Sequence, residues 1–149
     1  MTGPAGRATP GYSCRRSVDA SRDAVFAAVA TTEGLRQWWT GVVSGSAEPG
    51  GHLTFGFAGL DEQIVMRVEC RRRPDLVTWT CTAHSRGDEW TGSTIRFELT
   101  AVEPDACRLD FQHAGIAPEL VTAGWEHFLG SLAGYVEHGT GRPYGAPAP

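Results

Sequence analysis

The stretch GWEHFLGSLAGYVEHG, residues 124–139, places Trp125, Phe128, Leu129, Leu132, Tyr135 and Val136 at helical spacing after Val121. At about 100° per residue these side chains form one stripe. Glu126, His127, Gly130, Ser131, Gly134, Glu137 and His138 fall on the other side. The stretch therefore reads as a long amphipathic helix with one face to bury. Gly124, Gly130 and Gly134 interrupt it, each costing on the order of 1 kcal/mol against alanine. The pattern gives no reason for the two on the outer side.

A partner for that face lies upstream, where the period becomes two. HLTFGF (52–57), QIVMRVEC (63–70), LVTWTCT (76–82), TIRFELT (94–100) and CRLDFQH (107–113) all alternate. Their inward sets include Leu53, Phe55 and Phe57, then Ile64, Met66, Val68 and Cys70, then Val77, Trp79 and Cys81. Ile95, Phe97 and Leu99 follow, and Cys107, Leu109, Phe111 and His113 close the series. The breaks AGLDE, RRRPD, HSRGDE and EPDA are short and turn-like, so neighbouring strands pair antiparallel. Each strand has one apolar face, which gives the sheet one wet side and one side for the helix to cover.

Nearer the start, YSCRRSV (12–18) reads as an edge strand and Ser21 as the N-cap of a helix, RDAVFAAVA. Thr32 is the expected cap of a second short helix, EGLRQWW. There Leu35, Trp38 and Trp39 stand at i, i+3 and i+4, which turns both indoles inward. The fold class is thus α+β: a curved antiparallel sheet wrapped around a long C-terminal helix, with two short helices after the first strand. One domain spans residues 12–139, between flexible tails 1–11 and 140–149 rich in glycine and proline. A curved sheet and a straight helix cannot touch everywhere, so a cavity is expected between them.

The 149 residues carry 41% apolar and 20% charged side chains, ordinary values for one globular domain. A net charge of −4 argues against nucleic acid, which needs a basic face. CRRRP, holding Arg71, Arg72 and Arg73, reads as a solvated turn. No apolar run is long enough to span a membrane, and no secretory signal opens the chain, so the expected location is cytoplasmic. Cys14, Cys70, Cys81 and Cys107 are scattered and read as small core hydrophobes.

These segments together resemble the START-like (SRPBCC) helix-grip superfamily, and within it the group of the heat-shock protein 90 ATPase activator homologues. The likeness rests on VDASRDAVFAAVATTEGLRQWWTG, GGHLTFGF, STIRFELTAVEPDACRLDFQHAGI and GWEHFLGSLAGYVEHG, in that order and spacing. It implies a deep, mostly apolar cavity under the C-terminal helix. Members of this superfamily bind lipids, hormones or polyketides, and a few are cyclases or other enzymes. The extra N-terminal domain of the eukaryotic activator is not expected in a chain of this length.

Candidate ligand-binding residues follow from the aromatic interior and the cavity. They are Trp38, Trp39, Phe55, Phe57, Met66, Trp79, Phe97 and Phe111, with His113, Trp125, Phe128, Leu129 and Leu132. Of the tryptophan pair, one is expected to plug the helix against the sheet and the other to reach the cavity mouth. His113 falls on the apolar face and is the only candidate catalytic group. It reads either as a buried histidine bonded to backbone or as a polar anchor for a ligand, with Tyr135 or Arg96 assisting. His84, Asp88 and Glu89 read as a solvated loop and not a metal site, and His52 faces out. Glu62, Glu69 and Glu98 could act as acids or bases only if the fold delivered one into the cavity. No nucleophile elbow, phosphate loop, dinucleotide or zinc motif occurs, so no cofactor or metal is expected.

The expected function is binding of a small apolar or amphipathic molecule by a monomer or homodimer. A polyketide cyclase or aldolase type of enzyme is the second reading, and a partner of the chaperone the third.

Overall fold

The computed structural model describes residues 11–87 and 89–145. The chain runs β1 (Tyr12–Val18), α1 (Arg22–Ala30), α2 (Thr32–Trp38), β2 (Val42–Gly45), β3 (His52–Gly56) and β4 (Gln63–Arg72). It continues through β5 (Leu76–His84), β6 (Thr94–Glu103), β7 (Ala106–Ala114), a 3-10 turn (Pro118–Leu120) and α3 (Thr122–His138). The strands form one antiparallel sheet in the order β1-β7-β6-β5-β4-β3-β2. Short hairpin links join β2 through β7 in sequence order, and β1 returns to pair with β7.

The period-two pattern survives folding. Leu53, Phe55, Ile64, Met66, Val68, Trp79, Ile95, Phe97, Leu109 and Phe111 are all buried beneath α3 and the α1–α2 pair. Two register shifts in β4, at Val65/Met66 and Val68/Cys70, break the alternation at its far end. Cys70 is therefore half-buried instead of joining the core row. β2 escaped the sequence reading because a four-residue strand with one buried side chain, Val43, carries no period to detect.

Local chemistry sets the helix boundaries. Ser21 Oγ accepts from Ala24 N at 3.1 Å and starts α1. Thr31, not Thr32, caps α2: its hydroxyl accepts from Gly34 N at 3.0 Å and donates to Ala27 O at 2.7 Å. One side chain thus ends α1 and begins α2. The Trp38 indole N–H donates to Ala28 O at 2.8 Å, satisfying a carbonyl that the end of α1 leaves unpaired.

Two surface expectations are corrected. Arg71 and Arg72 belong to β4, and the turn is confined to residues 73–75. Arg71 Nε donates to Ala30 O at 3.1 Å, and its guanidinium lies 5.6 Å from the Phe26 ring centre. It joins the sheet to α1 instead of standing in water. Residues 140–145, expected as tail, run back across α3 and α2. Arg142 N donates to Ser131 Oγ at 2.6 Å and Tyr144 N to Trp39 O at 2.7 Å. This return buries Ser131 and accounts for Gly134, where a Cβ would sit 2.8 Å from Thr140 O. Nothing in the structure explains Gly130. Residues 1–10 and 146–149 of the expected tails lie outside the described residues.

The α1–α2 contact allows no side chain at residue 34. A Cβ on Gly34 would stand 2.6 Å from both Ala27 O and Ala28 Cα. Gly34→Ala should force the two helices apart and lower stability by about 1–3 kcal/mol, in the range of overpacked cores. Urea unfolding followed by circular dichroism reads this directly, and an unchanged midpoint would contradict the packing.

Candidate functional site

The space between sheet and α3 is filled by rings. Trp39 lies 4.3 Å from Phe55 and 5.1 Å from Trp125, centre to centre, and stacks on Trp79 at 6.1 Å. Trp38 stacks on Trp39 at 6.0 Å and meets Phe97 edge-on at 6.2 Å. Phe111 packs between Phe97 at 5.1 Å and Trp125 at 4.5 Å. Trp38, Phe55, Met66, Trp79, Phe97, Phe111, Leu129 and Leu132 are each at most 2% exposed. These expected ligand contacts contact one another, and the deep cavity inferred from curvature is occupied by their own side chains.

What stays open is a recess of about 230 Å³ beside the first two turns of α3. Trp39, Phe57, Trp125 and Phe128 line it, as does Trp90 from the β5–β6 loop. Ile64, Leu120 and Val121 complete the apolar wall, Gly124 leaves a gap in it, and Glu62 supplies the one charge among the lining residues. Of the tryptophan pair, Trp38 is sealed against α1 while Trp39 reaches the recess. Phe57 is held there edge-on to Tyr144, ring centres 5.4 Å apart.

His113 does not open onto this recess. The Trp125 indole N–H donates to His113 Nδ1 at 2.9 Å. An indole nitrogen only donates, so Nδ1 is the bare acceptor and Nε2 carries the proton. Nε2–H donates to Ser93 Oγ at 2.8 Å, and that hydroxyl donates to Trp90 O at 2.6 Å. The backbone-bonded histidine of the sequence reading is thus corrected: its partners are an indole and a hydroxyl. Both nitrogens are taken, which leaves none for a ligand or a transferred proton. Burial without a counter-charge pushes the imidazole pKa down to about 4. The role of His113 is to hold Trp125 and Trp90, two walls of the recess.

Of the three acids named as conditional on delivery into a cavity, the fold brings Glu62 to the recess. Glu62 Oε2 accepts from His84 Nε2 at 2.7 Å. His84 was expected in a solvated loop but ends β5 with its side chain 7% exposed. Its Nδ1 lies 3.7 Å from Glu89 Oε1 and has no hydrogen-bond partner among the described residues. Asp88 lies outside the described residues. Arg96 is on the opposite face of the sheet, 3.4 Å from Glu98, and cannot orient anything under α3. That outer face has a wider, open depression of about 610 Å³ between β1, β7 and β6. Its charges pair with one another, Arg15 and Arg108 both on Asp110. Tyr135 packs against the core away from the recess. Glu62 was one of three acids considered, with no pattern tying it to His84, whereas Trp90, a lone indole in a polar turn, offered a signal of its own.

Comparison with known proteins fits this architecture. The model of the family described as "Activator of Hsp90 ATPase homolog 1-like protein" matches residues 19–137. The chain is similar to the Aha1 dimer of Colwellia psychrerythraea, 27% identical, covering 87% of this chain and 97% of that one with a TM-score of 0.74. CalU16 from Micromonospora echinospora is 20% identical over 83% of this chain and 64% of its own, TM-score 0.66. PFC0360w, an HSP90 activator from Plasmodium falciparum, is 16% identical over 81% and 91%, TM-score 0.67. The last two share the fold. The curated proteins give no match.

The His113 chain has a measurable signature. Above pH 7 the imidazole is neutral folded and unfolded. Between about 6.5 and 4 the unfolded chain takes up a proton that the folded one refuses, so stability falls as pH falls. The loss amounts to about 3 kcal/mol over that window. His113→Gln should cost about 1–3 kcal/mol at pH 7.5 through unsatisfied partners, and the gap from wild type should narrow towards pH 4. Denaturant titrations across pH check this. A gap that stays constant would show that the imidazole is not the titrating group.

Proposed function

The chain belongs to the Activator of Hsp90 ATPase homolog 1-like family, and on that premise we propose that it binds a small, mainly apolar molecule in the recess beside α3. The observation that carries the reading is the composition of the walls: among the described residues, five aromatic rings, three aliphatic side chains and a single carboxylate around one concavity. Ligand sites combine such apolar walls with few polar groups. The size restricts the ligand. At about 230 Å³ the recess falls below the range of roughly 300–1,000 Å³ typical of drug-sized ligands. It exceeds the roughly 150 Å³ that suffices for benzene. A single ring or a short branched chain fits, and a lipid or polyketide skeleton does not. The His113 bonds keep two walls in place before any ligand arrives, so little ordering opposes binding.

A second reading, association with an Hsp90-type chaperone, is favoured by the family match and by the names of two structural neighbours. It requires an outer surface instead of the recess, and the two readings separate on one substitution. Gly124 lines the recess, and a Cβ there meets nothing within 4 Å. A leucine at this position grows into the empty volume without displacing protein atoms. No helix among the described residues is long and apolar enough to cross a membrane.

Benzyl alcohol titrated into ¹⁵N-labelled protein should shift the indole N–H signals of Trp39, Trp90 and Trp125 more than those of Trp38 and Trp79. Gly124→Leu should weaken its binding at least about tenfold, about 1.4 kcal/mol. The same variant should be as stable as wild type, or more stable by up to about 1 kcal/mol, because glycine disfavours helix. Shifts that ignore the substitution would place the binding elsewhere. Stimulation of a chaperone ATPase that persists in Gly124→Leu would support the second reading.

A further inference from the structure

We infer that the recess selects small organic cations, with a substituted ammonium group seated against the aromatic walls and Glu62 as its counter-charge. This inference deepens the proposed function and rests on it. Three observations carry it. Among the described residues the only charged side chain lining the recess is Glu62, and no arginine lines it. The walls contributed by Trp39, Phe57, Trp90, Trp125 and Phe128 are electron-rich rings, which attract a cation and disfavour an anion. Glu62 is fixed, not free: His84 holds Oε2 at 2.7 Å, and the carboxylate makes no other hydrogen bond among the described residues. Oε1 is left for a ligand.

The start of α3 pulls the other way. The helix follows Val121 with no side-chain cap and no acid in its first turn, so its first amides carry a partial positive charge. Geometry decides the contest. Val121, Gly124, Trp125 and Phe128 stand at i, i+3, i+4 and i+7, so the recess runs along the side of the helix and not off its end. A helix terminus amounts to roughly half a charge, effective within the first turn. Glu62 presents a whole charge in the wall itself. A net charge of −4 over the chain adds a field of the same sign.

The volume also fits. A trimethylammonium head with a short tail has the size of a branched hydrocarbon, which the recess accommodates by the argument given for neutral ligands. Its charge is diffuse and weakly hydrated, so entry between rings costs less than it would for a primary ammonium or a metal ion. Selection then falls on substituted amines and not on charge alone.

Choline and 3,3-dimethylbutan-1-ol separate charge from shape, since the two differ by one nitrogen for one carbon. Both are titrated into ¹⁵N-labelled protein and read at the indole N–H signals of Trp39, Trp90 and Trp125. Choline should bind about tenfold more tightly than the alcohol, the size of a partly desolvated cation–π and ion-pair preference. Glu62→Gln, which keeps the side chain's length and a carbonyl for His84, should weaken choline at least about threefold more than it weakens the alcohol, leaving the smaller preference that the rings supply. Equal binding of the two probes to wild type would overturn the inference and leave the apolar recess standing. A preference that survives Glu62→Gln undiminished would overturn the assignment to that carboxylate. Silence from both probes, together with benzyl alcohol, would overturn the recess as a site altogether.

Discussion

The bond from the Trp125 indole to His113 Nδ1 joins the two halves of the molecule: the helix at its second turn and the last sheet strand at its end. It is short, fully buried and part of a chain that continues through Ser93 Oγ to the Trp90 carbonyl. Every donor in that chain meets an acceptor, which is the condition under which a polar network in a low-dielectric core fixes structure instead of weakening it. The β5–β6 loop is drawn onto the same network, with the Trp90 ring 4.6 Å from the imidazole. Once those groups are in place, the position of α3 over the sheet follows.

That position determines what the fold can hold. A helix that crosses a curved sheet leaves space on one side, and the choice of side chains decides whether the space stays empty. Here tryptophan and phenylalanine fill it: Trp39 sits against Phe55, Trp79 and Trp125, and Trp38 is locked to α1. Rings of this size bury on the order of 150–250 Å² each, so the aromatic cluster both stabilises the domain and removes the cavity expected of its architecture. The remaining recess exists because residue 124 carries no side chain and because Phe57 is turned towards Tyr144 and the returning C-terminal segment.

The sequence carried most of the fold and less of the site, for reasons visible at single residues. Alternation and helical spacing are properties of whole elements, so β3 through β7 and α3 could be read from Leu53, Met66, Trp79, Phe97, Phe111 and Leu129 alone. Short features had no such redundancy: β2 has one inward residue, and Thr31 and Thr32 are equivalent as caps until the backbone is known. The recess depends on contacts between segments far apart in the chain. Glu62 gains significance only from His84, and Gly134 only from Thr140. His113 stood out in the sequence because it interrupts an apolar face. That pattern identifies a buried polar group but not its partners, and the partners convert it from a ligand anchor into a brace for Trp125 and Trp90.

The division of labour between the two histidine pairs follows from burial and charge. His113 sits among neutral donors and acceptors, is held neutral by desolvation, and can only position. His84 sits against a carboxylate that keeps some contact with solvent, with Glu62 23% exposed. A carboxylate in such a place is anchored on one oxygen and available on the other, and it faces rings that His113 has fixed. Rigid walls and one oriented charge discriminate among ligands through the charge and shape the ligand brings, since neither wall nor charge can relax to suit a poor fit. On the proposed reading, selectivity comes from parts that are each structural in origin: a core too full for a large molecule, a helix with one missing side chain, and Glu62 held at the edge.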